Sequence, residues 1–416
     1  MWKLACAALL VSGCGSSSSA TGDDAPGPDA GSTAGHAHPF GTHGGYTPTG
    51  VIFPSTHAPA ELDAATVAYY ATWKATYLVP GCAPGQLRVK TAPATDAFTV
   101  SEGHGYGMLI TAIMDGADPD AQTELDGLYA YYDAHRSDHD SGLMAWAQNE
   151  ACANVEGADS ATDGDMDIAY ALDLADRQWG STGAVDYASA AARITASILA
   201  SDVHPASSIL VGDWANDPSN AHYTGTRPSD FMTSHFRRFG GKGAEVVEHT
   251  YALVAYLQEH SAPTTGLLPD FVIDATGATP TPAPANWLEG ADDGHYSYNA
   301  CRVPWRIGAD YLMAGEPRAQ SAVRTINAWI RGETHDDPSK IVDGYTLTGT
   351  KIGASAELSF TAPLMVGAMI EPASGTNQAW LDALWDQVDA APIGEYYGDS
   401  LKMLAMITAS GNWFVP

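Results

Sequence analysis

Twelve separate stretches of this chain carry apolar residues at three-to-four spacing, and that repetition constrains the fold more than any other feature. They are 59–76, 103–115, 120–134, 163–179, 185–201, 228–237, 243–259, 300–314, 317–331, 356–370, 376–389 and 394–409. Such spacing turns one side of a helix toward a core. Alternating patterns are scarce, and the best of them, Ile341 to Ile352, predicts a hairpin on a helical body. Gly, Pro and Asp punctuate the helices without a break in composition, which predicts a single domain over 45–416. A stacked solenoid would repeat with a fixed period, and none is present. The expected architecture is therefore all-α: an (α/α)6 toroid of six inner and six outer helices. In such a toroid the loops converge at the ends of the inner helices, so chemistry belongs on loops and first turns.

The first 44 residues do not fit that pattern. Met1 to Gly13 has one early cation, Lys3, and then the apolar run Leu4 to Val11, too short to cross a bilayer. It predicts an export signal. Val11-Ser12-Gly13-Cys14 resembles a bacterial lipobox, which would make Cys14 a lipidated anchor; an ordinary secretory signal with a chance cysteine is the plainer alternative. The expected location is the cell surface or outer membrane, or the medium. Residues 15–44 are Ser, Gly, Ala, Asp and Pro with almost no large apolar side chain, which predicts a disordered tether. His36, His38 and His43 within it read as scattered exposed side chains rather than a metal site. Cys82 and Cys152 lie in loop-like sequence and could bridge in an oxidising compartment, whereas Cys301 reads as a buried thiol.

With 19 Lys+Arg against 49 Asp+Glu, the net charge of -30 excludes a nucleic-acid or anionic-membrane surface. The ligand should be neutral or cationic, and membrane contact should come only through the anchor. A monomer is expected.

Three segments carry the candidate chemistry. Ser101-Glu102-Gly103-His104-Gly105-Tyr106-Gly107-Met108 sets a carboxylate beside three alternating glycines, which permit close approach. A flexible loop with a capping Glu would read the same way. Ala161 to Asp167 (ATDGDMD) opens a helix with three alternating carboxylates. A calcium loop would need Gly where Ile168 stands and a bidentate Glu where Leu174 stands, so that reading fails. Asn286 to Tyr296 (NWLEGADDGHY) and the following Tyr298 to Arg306 mix aromatics, carboxylates, an amide and guanidinium groups. That mixture suits sugar rings and hydroxyls, although an acidic loop beside a core helix would also contain it.

Together these segments resemble the family eight glycoside hydrolases, over most of the chain after the tether. The most specific stretch is ATDGDMDIAYALDLADRQW (Ala161 to Trp179); WKATYL, LMAWAQN, SDFMTSHFRRF and EYYGDSL add support. The resemblance implies a toroid that hydrolyses β-1,4-linked polysaccharide with inversion. It implies Glu102 as general acid and Asp163 as the carboxylate holding the sugar at the point of cleavage. Where many members carry an Asp base, this chain has Asn299, which cannot take a proton from water. It is similar instead to the branch of chitosanases and mixed-linkage glucanases whose base is a Glu on an inserted loop, and Glu289 is the matching position, with Asp292 and Asp293 as fallbacks.

An inverting pair needs its carboxyl groups about 6.5–9.5 Å apart. A helix N-terminus should depress the pKa of Glu102, so burial or the like charge of Asp163 must raise it. Arg302 is the candidate for orienting the base loop or a substrate hydroxyl, or else Arg302 and Arg306 form structural ion pairs with Asp310 or other acids. Trp146, Trp287, Tyr296, Trp305 and Tyr397 are placed along the cleft, with Tyr106 and Asn299 as further substrate contacts; aromatic residues in a toroid also serve as core. No metal or cofactor is required. β-1,4-glucan or mixed-linkage β-glucan is the first substrate expectation, chitosan the second, xylan the third. The rival is an impaired cell-surface glycan-binding protein in which Asn299 marks a lost base.

Overall fold

The structure, a computed structural model, describes residues 36–92 and 97–416; Cys14, the export signal and most of the tether lie outside the described residues. Among these residues there are twelve α-helices, each overlapping one of the twelve periodic stretches. The even-numbered ones are α2 (Ser101–Ile113), α4 (Thr162–Trp179), α6 (Thr233–Phe239), α8 (Val303–Ala314), α10 (Leu358–Met369) and α12 (Tyr396–Ala409). The odd-numbered ones are α1 (Pro59–Tyr77), α3 (Ala121–Ala134), α5 (Tyr187–Ser197), α7 (Gly243–His260), α9 (Pro317–Thr334) and α11 (Gly375–Ala390).

The two sets differ in what their sequences can bury. In α2 every residue except Glu102 is buried, and in α10 every residue except Leu358. Helices apolar all round must be enclosed. By contrast α1 buries Leu62, Thr66, Tyr69, Tyr70, Trp73 and Tyr77, and α9 buries Ala319, Ala322, Val323, Ile326, Asn327, Ile330 and Thr334, a single stripe in each. The even helices form the inner ring: α2 packs on α4, α4 on α6, α6 on α8, α8 on α10, α10 on α12, and α12 on α2. The odd helices pack outside them, which makes the all-α toroid of six helix pairs. Each outer helix carries the chain back, so inner N-termini gather at one end of the ring.

Strands are short. β1 (Leu78–Pro80) pairs with β2 (Leu87–Val89), β3 (Thr99–Val100) with β4 (Ala147–Gln148), and β5 (Val272–Ile273) with β6 (Thr281–Pro282), all antiparallel. Over 341–352 no full strand forms, and the expected hairpin is reduced to one antiparallel bridge, Tyr345–Lys351, closed by Thr346 N–H to the Thr350 carbonyl (2.8 Å) and Ile352 N–H to the Gly344 carbonyl (3.1 Å). On its other side Tyr345 exchanges both backbone hydrogen bonds with Tyr296 (3.0 and 2.9 Å).

Residues 36–44, expected within the tether, lie against the toroid. His36 meets Asp115 at 2.7 Å, the His38 ring stacks on Phe414 at 4.6 Å, and His43 meets Asp63 at 2.9 Å. These histidines are therefore anchoring contacts, not scattered side chains. Cys82 and Cys152 form a disulfide, and Cys301 is free and buried.

Candidate active site

Glu102 lies in the first turn of α2, not in a loop before it, because the alternating glycines continue the helix while letting neighbours close in. A Cβ at Gly105 would fall 2.7 Å from Cβ of Asp167, and one at Gly164 would fall 2.6 Å from the backbone of Ser101. The glycines thus bring α2 against α4 with Glu102 and Asp163 side by side at their N-termini. At Gly103 a Cβ would fall 2.7 Å from the Tyr396 hydroxyl. That space lets Tyr396 donate to Glu102 Oε1 at 2.7 Å.

Arg302 lies between the two carboxylates and is 1 % exposed. It donates through Nη1 to Glu102 Oε2, to Asp163 Oδ2 (2.9 Å) and to the Tyr106 hydroxyl (3.2 Å). Through Nη2 it donates to Ser229 Oγ (2.9 Å) and Asn299 Oδ1 (2.8 Å). Asn299 passes the chain on, donating from Nδ2 to Glu289 Oε2 at 2.8 Å. One network therefore joins Glu102, Arg302, Asn299 and Glu289. An amide suits position 299 because one end accepts from a guanidinium while the other donates to a carboxylate.

Glu289 stands on an irregular loop. Asp293, 3 % exposed, accepts the backbone N–H groups of Leu288 (2.7 Å), Glu289 (3.2 Å) and Gly290 (2.8 Å). Asp292 pairs with His295 at 3.2 Å. Both fallback carboxylates are thus engaged within the loop, and Glu289 is the one that reaches Asn299. Asp270 supports the next turn: its Oδ1 accepts the N–H groups of Ser297, Asn299 and Ala300 at 3.0, 3.2 and 2.6 Å.

These groups open into a cleft of about 320 Å³ lined by Glu102, Asp163, Glu289, Asn299, Trp146 and Tyr397, together with Arg227, Tyr298 and Tyr396. Pairing of β3 with β4 brings Trp146, which precedes β4, beside Glu102, which follows β3. Tyr397 donates to the backbone carbonyl of Tyr298.

Glu102 and Asp163, side by side, are driven in opposite directions. Burial raises the pKa of Glu102 against the pull of Arg302, and Asp163 adds to the rise. At Asp163 burial also opposes ionisation, but Arg227 and Arg302 overcome it and bring the pKa to about 2. Burial lifts Asp270 to about 7 in spite of its three N–H donors. The expectation that burial or Asp163 must offset the helix terminus holds in direction, with burial the larger influence.

Several expected cleft residues lie elsewhere. Tyr106, Tyr296 and Trp305 are buried in the core, where Tyr296 packs on Phe360 and Trp305 under the Arg306 guanidinium. Trp287 wedges the base loop against Phe271 at 5.4 Å and over Gly225, so it anchors the loop rather than lining the cleft. Arg302 spends its donors on protein acceptors and has little reach to a ligand. Both arginines do form buried ion pairs, with acids other than Asp310: Arg302 meets Glu102 and Asp163, Arg306 meets Asp167 at 2.5 Å, and Asp310 is taken by Arg237 at 2.7 Å. Sequence reading missed Tyr396, one position from Tyr397, and Arg227, which contacts Asp163 at 2.8 Å just before the noted SDFMTSHFRRF stretch. It also missed Asp270, which carries no local signal.

Comparison with known proteins fits this geometry. The family model for glycosyl hydrolases family 8 matches residues 52–411. A beta-glucanase of Niallia circulans is 46% identical over 90% of this chain and 91% of its own length. An endoglucanase of Bacillus sp. (strain KSM-330) is 37% identical, over 88% of this chain and 80% of its own. The apo structure of a beta-1,3-1,4-glucanase from Paenibacillus sp.X4 superposes with a TM-score of 0.87 at 44% identity, covering 92% of this chain and 100% of that one.

Proposed function

Because the chain belongs to glycosyl hydrolase family 8, we propose that it is an exported, monomeric enzyme that cuts mixed-linkage or β-1,4-linked glucan internally and with inversion. That it is a glycoside hydrolase of the endo-glucan-cleaving kind follows from the family match and the glucanase relatives. Linkage, stereochemistry and residue roles are the proposal. The observation that carries it is the hydrogen-bonded chain from Glu102 through Arg302 and Asn299 to Glu289 across one cleft.

In this reading Glu102 is the general acid, since its raised pKa keeps a proton available for the leaving oxygen. The proton sits on Oε1, where the Tyr396 hydroxyl can turn from donor to acceptor. Asp163, ionised at any working pH, stabilises positive charge developing on the sugar ring. Glu289 takes the proton from water on the opposite face, with Asn299 aiming its carboxylate. Trp146 and Tyr397 offer ring faces to the glucan.

The test is reducing-sugar release from mixed-linkage β-glucan, soluble cellulose derivative, chitosan and xylan by the wild type and Glu289→Ala. Wild-type activity on β-glucan that disappears in the variant supports both substrate and base. Faster hydrolysis of chitosan moves the substrate, survival of activity in Glu289→Ala removes the base assignment, and binding without hydrolysis restores the receptor reading.

A further inference from the structure

A concavity of about 690 Å³, roomier than the cleft, forms a groove along the solvent side of α9. It shares no residue with the cleft. We propose that this groove is a second glycan-binding site, holding a neutral β-glucan chain away from the catalytic residues; the choice of β-glucan rests on the substrate reading above.

The groove has the parts a sugar site needs. Trp329 is half-buried and held in place: the Tyr345 ring packs perpendicular to it at 5.1 Å, and a Cβ at Gly349 would fall 2.7 Å from its ring. A fixed aromatic side chain binds a pyranose without ordering cost. Arg324 is held by Glu371 (3.2 Å), which accepts from Asn327 (2.8 Å), which in turn accepts from Trp380 (2.8 Å). Asn327, Glu371 and Trp380 are all buried, so a buried chain aims an exposed guanidinium. Arg331 is held likewise, by Asn377 and Asp336, each at 2.6 Å.

Charge selects the ligand class. Arg324 is matched by Glu371 and Arg331 by Asp336, so the groove presents donors with little net charge. An anion finds no unmatched cation there and meets a protein of charge -30. A neutral, hydroxyl-rich chain meets donors and a flat ring. The groove also has length: a second concavity of about 500 Å³ adjoins it and shares Ala328 and Arg331. Ala328 and Gly332, exposed and one helical turn apart, leave its floor low enough for a polymer to continue.

The test uses two variants, since Trp329→Ala removes packing while Ala328→Glu adds a side chain at an exposed helical position and only fills the groove. Retention on gel-embedded mixed-linkage β-glucan is measured in the Glu102→Gln protein with and without each change. Hydrolysis of polymer and of a short oligosaccharide is measured in the active protein. Expected is a loss of retention of about three- to tenfold for both variants, as one sugar–aromatic contact is worth, with oligosaccharide hydrolysis unchanged. Undiminished retention in Ala328→Glu overturns the site, as does equal loss on polymer and oligosaccharide, or preferential retention on an anionic polysaccharide. A wild type inactive on β-glucan would sink the substrate reading instead, since retention of the Glu102→Gln protein is scored independently of hydrolysis.

Discussion

Glu102 and Glu289 face the same cleft from two kinds of backbone. Glu102 belongs to a helix enclosed on all sides, fixed by glycine contacts with α4 that tolerate no added carbon. Glu289 belongs to a loop whose shape depends on one buried acceptor, Asp293, and one wedge, Trp287. The difference teaches where damage should register: on the acid side an error of packing is an error of the core and costs stability, whereas on the base side it misplaces one carboxylate and costs rate.

The largest effect expected is at the acid itself. Glu102→Gln keeps the shape and removes the proton, so kcat on β-glucan should fall about 10²- to 10⁴-fold with melting temperature nearly unchanged. A fall of less than about tenfold would take the acid role from Glu102. Next come paired changes on the two sides. Asp293→Ala should cut kcat by about 10- to 100-fold, because a shift near 1 Å at the base is enough, and should move the melting temperature less than Gly105→Ala does. Gly105→Ala should cost about 1–3 kcal/mol by overpacking α2 against α4. The contrast breaks if Asp293→Ala proves the more destabilising of the two.

A smaller effect sharpens the base side. Asn299→Asp replaces the donor that aims the Glu289 carboxylate with an acceptor, so the carboxylate loses its fixed position. On β-glucan kcat should fall by about two- to tenfold, with melting temperature near that of the wild type. The last effect is read in stability rather than rate and concerns Asp270. Its folded pKa of about 7 lies above an ordinary Asp near 3.9, so as pH rises from about 4 to 7 the unfolded chain releases a proton that the fold retains, and stability falls. Asp270→Asn keeps an acceptor oxygen but does not titrate, so its melting temperature relative to wild type should climb over that window. Asp163 behaves oppositely: with a folded pKa of about 2, its contribution is present above about pH 4 and is lost as pH falls through 2.

The same contrast governs what could be read in advance. Twelve helices were legible because burial on one stripe or all round leaves a periodic trace, and Glu102, Asp163 and Glu289 were legible because each sits in a distinctive short segment. What periodicity cannot convey is rotation by one residue. Tyr396 and Tyr397 are adjacent on α12, yet one donates to Glu102 and the other to the Tyr298 carbonyl. Nor does residue type separate an aromatic that lines a cleft from one that props a loop, which is why Trp146 and Trp287 read alike and are placed differently. Arg302 read equally as a ligand contact or an ion pair, because an arginine near acidic residues gives no sign that five protein groups will share it. The hairpin expected over 341–352 is present only as the Tyr345–Lys351 bridge, and its second neighbour, Tyr296, lies in a segment that periodicity does not connect to it.

Closure of the inner ring bears on how the protein acquires activity. Tyr396 and Glu102 are 294 positions apart, and they meet only because α12 packs on α2. That contact is strongly non-local, so it belongs among the late events of folding, after local helix pairs have formed. A nascent molecule would then hold a nearly formed ring with an open seam, inert until the last helix seats. Because α1 also packs on α12, the seam is set by covalent order rather than by packing. A circular permutant opened in a loop on the far side should move the late step elsewhere and reach the same finished ring.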